Sequence, residues 1–292
     1  MTSAVERPSV VVGIDGSDSA LGAARWAADF AAGQDLRLTL LYAVPKFDWH
    51  FAEVEAPEDL GQGAAGDRVL AAAETAVHSA HPDLPITSAA VKGSVASVLA
   101  DACVDARLLV VGTGTEDGAL GGHVVRITHR AQCPVLVWRP PAARRTGKPL
   151  PVVVGVDESE ESARALAQAF DIARVLHAGL TVAHMWEIDA AVGMGDLGGQ
   201  GNMDWPLLEM LQTQQRQQLD ELVEPFARKY PNAHVSRIFE DTSPAKGLTD
   251  LSRKAQLVVV GSHGRGRIAD ALLGSVSQNL IHHAACPVLV VR

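Results

Sequence analysis

The chain has 292 residues, 47% apolar and 20% charged, with 34 acidic against 25 basic side chains for a formal charge of −9. This length suggests two domains, each able to bury its own core, and the acidic balance argues against duplex nucleic acid, which wants a basic face. No run approaches the roughly 18 apolar residues of a membrane span, and Met1–Pro8 is too polar and short for a signal peptide.

Val10-Val-Val-Gly-Ile-Asp15-Gly-Ser opens the regular structure with a β-branched run, the mark of a strand buried on both faces. Leu38–Tyr42 is a second strand, and a helix is expected near 67–79. Leu108–Gly112 and Cys133–Val137 are further buried strands. The three cysteines, two of them in corresponding Cys-Pro-Val segments, cannot make a disulfide framework. A reducing cytoplasm is therefore the expected compartment.

A proline-rich stretch follows. Pro140, Pro141, Pro149 and Pro151 deny the backbone donors and helical dihedrals that a core element needs. Arg144, Arg145 and Lys148 invite a nucleic-acid reading, but a solvated linker is the plainer one. The expected division is a domain at 1–139, a linker at 140–151 and a domain at 152–292.

The second half begins with strand 152–156, and Asp157-Glu-Ser-Glu-Glu-Ser supplies cap and first-turn acids for a helix through Ala163–Leu176. Strand 180–185, a long helix over Leu207–Tyr230 and an alternating strand at His234–Phe239 come next. Pro244 sits near the first turn of a helix to about Ala255. Strand 257–260, a glycine loop, a helix from 275 and strand 288–291 close the unit. The connections 45–68 and 187–206 hold Trp49, Phe51 and Trp205; loops of this length are often disordered, but these aromatics suit a lid over a ligand or a surface against a neighbour.

The halves repeat each other. Val10–Ser17 returns as Val152-Val-Val-Gly-Val-Asp157-Glu-Ser, and Leu38–Tyr42 returns as Leu180–His184 at the same offset of 142. Leu108–Gly112 and Cys133–Val137 match Leu257–Gly261 and Cys286–Val290. A domain-sized period means a duplicated domain rather than a solenoid of short repeats. Five strands interleaved with helices in each half predict an α/β fold of two tandem, doubly wound, five-stranded parallel sheets, with 3-2-1-4-5 the favoured strand order. Ligands of such sheets bind at the carboxyl ends of the strands, where the order reverses.

Gly261, Gly264 and Gly274 stand in a Gly-x2-Gly-x9-Gly-Ser spacing. Glycines let the backbone turn sharply near a ligand. The N–H groups of a helix starting near Gly274, with the Ser275 and Ser277 hydroxyls, can cradle a phosphate. His263, Arg265 and Arg267 add cations of direct use there, although exposed loop charge is the alternative. Glu158, Glu160 and Glu161 either complement the helix dipole or contact Mg²⁺ or Mn²⁺ beside a nucleotide. Gly264-x-Gly266-x-x-Ala269 mimics a dinucleotide fingerprint but follows the wrong strand, and the chain has no Gly-x4-Gly-Lys-[Ser/Thr] loop. His282, His283 and Cys286 read as structural or surface residues rather than metal ligands.

Together these residues resemble the universal stress protein family in its tandem form, over essentially the whole chain. The resemblance implies a Rossmann-like fold of the adenine nucleotide alpha-hydrolase-like kind. It implies that Gly261, Gly264, Gly274, Ser275, Val276 and Ser277 hold ATP phosphates, and that Val156 and Asp157 meet adenine or ribose. It also implies that 134–138 and 288–291 pair edge to edge within the chain. The first half departs from this pattern: eight residues separate Gly112 from Gly121, against twelve between Gly261 and Gly274. Thr115 replaces the second glycine, Gly122 and Val124 replace the serines, and Glu116 and Asp117 add negative charge. Ile14, Asp15, Gly112, Thr115, Gly121 and Gly122 would form the weaker second site.

The expected function is a cytoplasmic, tandem-domain, ATP-binding regulator of the stress response whose shape or partners follow nucleotide occupancy. The alternatives are a slow ATPase or adenylyl-transfer enzyme, and a nucleotide-free assembly scaffold. Homodimerisation is compatible with either; nucleic acid and membrane partners are not expected.

Overall fold

The β-branched runs become strands because both of their faces are covered. In the computed structural model, which describes residues 8–45, 62–113, 123–142, 149–157, 159–186, 205–264 and 273–292, Val10, Val11 and Val12 are at most 2% exposed, as are Val152, Val153 and Val154. In the first half, β1 (Ser9–Gly13), α1 (Asp18–Ala32), β2 (Arg37–Val44), α2 (Gln62–His78) and β3 (Ile86–Lys92) lead to α3 (Val95–Asp101), β4 (Ala106–Gly112), α4 (His123–Arg130) and β5 (Val135–Trp138). The second half repeats this with β6 (Val152–Gly155), α5 (Glu160–Val175), β7 (Leu180–Met185), α6 (Trp205–Lys229) and β8 (Val235–Glu240). It closes with α7 (Pro244–Ser252), β9 (Leu257–Gly261), α8 (Ser275–His283) and β10 (Val288–Val291).

The strands form one ten-stranded sheet in the order β3-β2-β1-β4-β5-β10-β9-β6-β7-β8. Each half thus runs 3-2-1-4-5 with parallel neighbours, and the halves meet where β10 pairs antiparallel with β5. Leu289 lies opposite Leu136, flanked by Val288–Val137 and Val290–Val135. These two leucines hold the same place in their Cys-Pro-Val-Leu segments. Equivalent residues therefore face each other about a pseudo-twofold axis.

Strand alternation sorts the core into two layers. Val10, Val12, Val152 and Val154 point to the layer holding Ala24, Phe30, Leu70, Phe170 and Leu219 from α1, α2, α5 and α6. Val11 and Val153 point to the other, with Leu99, Ile127, Leu248 and Leu280 from α3, α4, α7 and α8. This is the doubly wound arrangement, with helices on both faces.

Two arginines lace the halves together. Arg139, just after β5, donates to the carbonyl of Ile281 and, at 2.6 Å, to that of Ala284 at the end of α8. Arg292, in the corresponding place after β10, donates to the Thr128 and His129 carbonyls at the end of α4, both at 2.6 Å. Each guanidinium satisfies carbonyls that a helix C-terminus leaves unpaired. Burial pulls both guanidinium pKa values below their ordinary range.

α5 begins at Glu160 with Glu160 and Glu161 in its first turn, as expected, because the Ser159 hydroxyl accepts from the Ser162 N–H at 3.1 Å and caps the helix. One helix start differs from expectation. α2 begins at Gln62, ahead of residue 67, through a glycine-containing turn that helix propensity disfavours. Gly66 is needed there, since a Cβ would stand 2.8 Å from the Tyr42 ring.

Candidate functional site

Parallel pairing of β6 with β9, Val153 beside Val258, brings the loops after these two strands side by side. With the end of β7 they border a cavity of about 450 Å³, a size ordinary for small-ligand sites. Val156, Met185, Trp186, Leu248 and Val260 give it an apolar side; Asp157, His184, His263, Gly264 and residues 274–277 give it a polar one.

Asp157 is held by its own turn. Its Oδ1 accepts from the Ser159 N–H at 2.9 Å and from the Ser159 hydroxyl at 2.5 Å. Asp15 repeats this in the first half, accepting from the Ser17 N–H at 2.9 Å and the Ser17 hydroxyl at 2.6 Å. A Cβ on Gly264 would stand 2.6 Å from Asp157 Oδ2. The second glycine of the loop is thus fitted to the aspartate of the first.

Gly261 has a different reason to be glycine. Its Cβ would lie 2.9 Å from the Glu161 Cβ, and a Cβ on Gly112 would lie 2.5 Å from the Ser19 Oγ. In both halves the fourth strand ends against the first turn of the first helix.

The start of α8 supplies donors. Gly274 is its N-cap, with no side-chain cap, and its own N–H donates to the Ser262 carbonyl at 2.8 Å. The N–H groups of Ser275, Val276 and Ser277 then have no acceptor within the helix. The Ser277 hydroxyl is buried and donates inward, toward the carbonyls of Gly274 at 2.8 Å and Ser262 at 3.2 Å. One proton cannot also serve a ligand. His263 Nδ1 lies 3.1 Å from the Ser262 Oγ, and its Nε2 is buried with no hydrogen-bond partner among the described residues.

His184, Met185 and Trp186, at the end of β7, line the cavity although no sequence pattern singles them out. His184 is buried, donates from Nδ1 to the Val156 carbonyl at 3.0 Å, and stacks on Phe239 at 5.6 Å. The available signal was the repeat itself, which sets this histidine opposite Tyr42. The cavity suits a ligand with a flat apolar part along β7 and an anionic part at α8.

Other expected residues fall elsewhere. Arg265, Arg267, Glu158, Thr115, Gly121, Gly122, Trp49, Phe51 and the basic linker residues lie outside the described residues. Glu161 pairs with Arg164 at 3.2 Å, and Glu160, 90% exposed, lies 3.9 Å from the same guanidinium. Among the described residues no three His, Cys, Asp or Glu side chains are placed to hold a metal. Cys286 is buried whereas His282 and His283 are exposed. In the first half Ile14 is buried beneath the Asp15 turn, and α2 covers that turn with Val69, 3.3 Å from where a Gly16 Cβ would be. No described helix is long and apolar enough to cross a membrane.

The profile of the Universal stress protein family matches residues 7–139 and again 150–292. A universal stress protein of Mycobacterium tuberculosis is 33% identical over 305 residues, covering 100% of this chain and 99% of that protein. One from Mycolicibacterium smegmatis is 32% identical over 306 residues with the same coverage. Among solved structures, a universal stress protein from Archaeoglobus fulgidus superposes with a TM-score of 0.69 at 16% identity, over 97% of this chain and 98% of that one. That likeness is one of fold.

Proposed function

The chain belongs to the universal stress protein family, and from that premise we propose that it binds ATP in the cavity of residues 152–292 and acts as a stress-response regulator through nucleotide-dependent shape or partner choice. The observation that carries this reading is the junction of an apolar slot with the uncapped start of α8. A helix start of this kind favours phosphate oxygens. The buried His263 Nε2, which has no partner among the described residues, supports it, because such an atom is costly and a ligand oxygen or water would satisfy it. Adenine would lie along Val156, His184 and Trp186, ribose near Asp157, and phosphates over 274–277, with Arg265 and Arg267 as further phosphate contacts. Mg²⁺ or Mn²⁺ would come with the nucleotide rather than reside in the protein.

The first half is proposed as the weaker site, since its loop lacks the serines and carries two acids. Calorimetric titration of the full chain with ATP tests the reading, with an Asp157→Ala variant to locate the site. Tight binding lost in that variant supports it; no heat from the wild type sinks it. Binding rather than turnover is the proposed output, because phosphoryl transfer needs an in-line nucleophile, metal-held oxygens and a positioned base. Hydrolysis is expected far below the roughly 1–100 s⁻¹ of kinases. A turnover in that range, lost in His263→Ala with ATP affinity kept, would favour an enzyme.

A further inference from the structure

The approach to α8 is held from the other half of the molecule. Leu273, buried and immediately before the N-cap, donates its backbone N–H to the Nε2 of His129 at 3.3 Å. His129 belongs to the last turn of α4. An N–H donor at Nε2 requires that nitrogen to be unprotonated, so the ring carries its proton on Nδ1. The next N–H, that of Gly274, goes to the Ser262 carbonyl at 2.8 Å. Two successive backbone donors thus fix the chain where it enters the helix, one tied within the second half and one to the first.

The histidine is itself held in place. Arg292 donates to the His129 and Thr128 carbonyls, both at 2.6 Å, and Thr128 and Ile127 are buried in the core. The contacts close a loop across the halves, in which the second half anchors the end of α4 and α4 anchors the second half's glycine turn. Without the imidazole a part-buried N–H would lose its acceptor, and the turn would shift to find another. The N–H groups of Ser275, Val276 and Ser277 would move with it.

We propose that His129 is a positioning residue for the phosphate end of the cavity in residues 152–292, so that in the full chain this site is completed by the first half. The inference rests on the ATP reading above. It separates phosphate from nucleoside, because His129 acts on the start of α8 while the nucleoside end is built from β6 and β7.

The test uses the full chain and its His129→Ala and His129→Gln variants, titrated with ATP and with adenosine. Amide exchange over 273–277 is followed in ligand-free protein. In His129→Ala, ATP affinity is expected to fall about fivefold, the effect of one ordinary hydrogen bond, with adenosine affinity unchanged and the Leu273 amide exchanging faster. Gln can present Oε1 where Nε2 was, so His129→Gln is expected to restore most of the loss. Unchanged ATP affinity or exchange in His129→Ala, an equal loss for ATP and adenosine, or no rescue by Gln would overturn the inference while leaving ATP binding intact. A wild type that binds neither ligand overturns the ATP reading, and the inference with it.

Discussion

Gly264 and Asp157 constrain each other. Any side chain at 264 would press on the carboxylate, whose Oδ1 is already committed to Ser159. Gly264→Ala is therefore expected to swing Asp157 out of its turn and weaken ATP binding about tenfold, near 1.4 kcal/mol. Global stability should change by less than about 1 kcal/mol, because the strain falls on a loop. Calorimetry and urea unfolding measure the two effects, and full ATP affinity in the variant would refute the coupling. Cys286 makes a second residue-scale case. Burial pushes its thiol from an ordinary value near 9 up to about 12, with the Arg139 charge offsetting part of the rise. Between those values the unfolded chain has released the proton and the folded chain still holds it. Folding then binds the extra proton, so this contribution to stability is lost as pH rises above 9. The urea midpoint should fall between about pH 8 and pH 10.5, less steeply in Cys286→Ala; identical slopes would remove Cys286 as a cause.

At the scale of elements, the C-terminal ends of α4 and α8 are capped from across the molecule. Arg139→Ala removes charge-assisted hydrogen bonds to the Ile281 and Ala284 carbonyls and leaves both without that donor. A loss of about 2–3 kcal/mol in unfolding free energy is expected. A change under about 0.5 kcal/mol would mean that water replaces the guanidinium at no cost. Such contacts also explain what the sequence left unread. The strands were legible because β-branched runs repeat in order, and the glycine loop because its spacing is local. Arg139, Arg292 and His129 act on partners roughly 140 to 165 positions away, and neither periodicity nor spacing reports such pairs. His184 escaped for a related reason, as its meaning depends on Phe239 and Val156 meeting it in the folded sheet. Ser277 was visible as a hydroxyl, but the inward turn of its proton was not.

On the scale of the whole molecule, the pseudo-twofold at Leu136 and Leu289 sets what one half does alone. Residues 152–292 expressed by themselves would expose β10, whose Val288, Leu289 and Val290 are at most 1% exposed in the full chain. An open apolar edge of this kind seeks another strand. Because equivalent residues already face each other across the β5–β10 seam, a second copy can replace the first half with Leu289 opposite Leu289. Its Arg292 would then cap α8 where Arg139 does now, and its His282 would stand where His129 receives the Leu273 N–H. The isolated half is accordingly expected to be a dimer in light scattering at micromolar concentration. It should keep most of its ATP affinity through that substitute histidine, and His282→Ala, harmless to ATP binding in the full chain, should weaken binding in the dimer. A stable monomer, or a dimer indifferent to His282, would show that the seam between the halves is not governed by this symmetry.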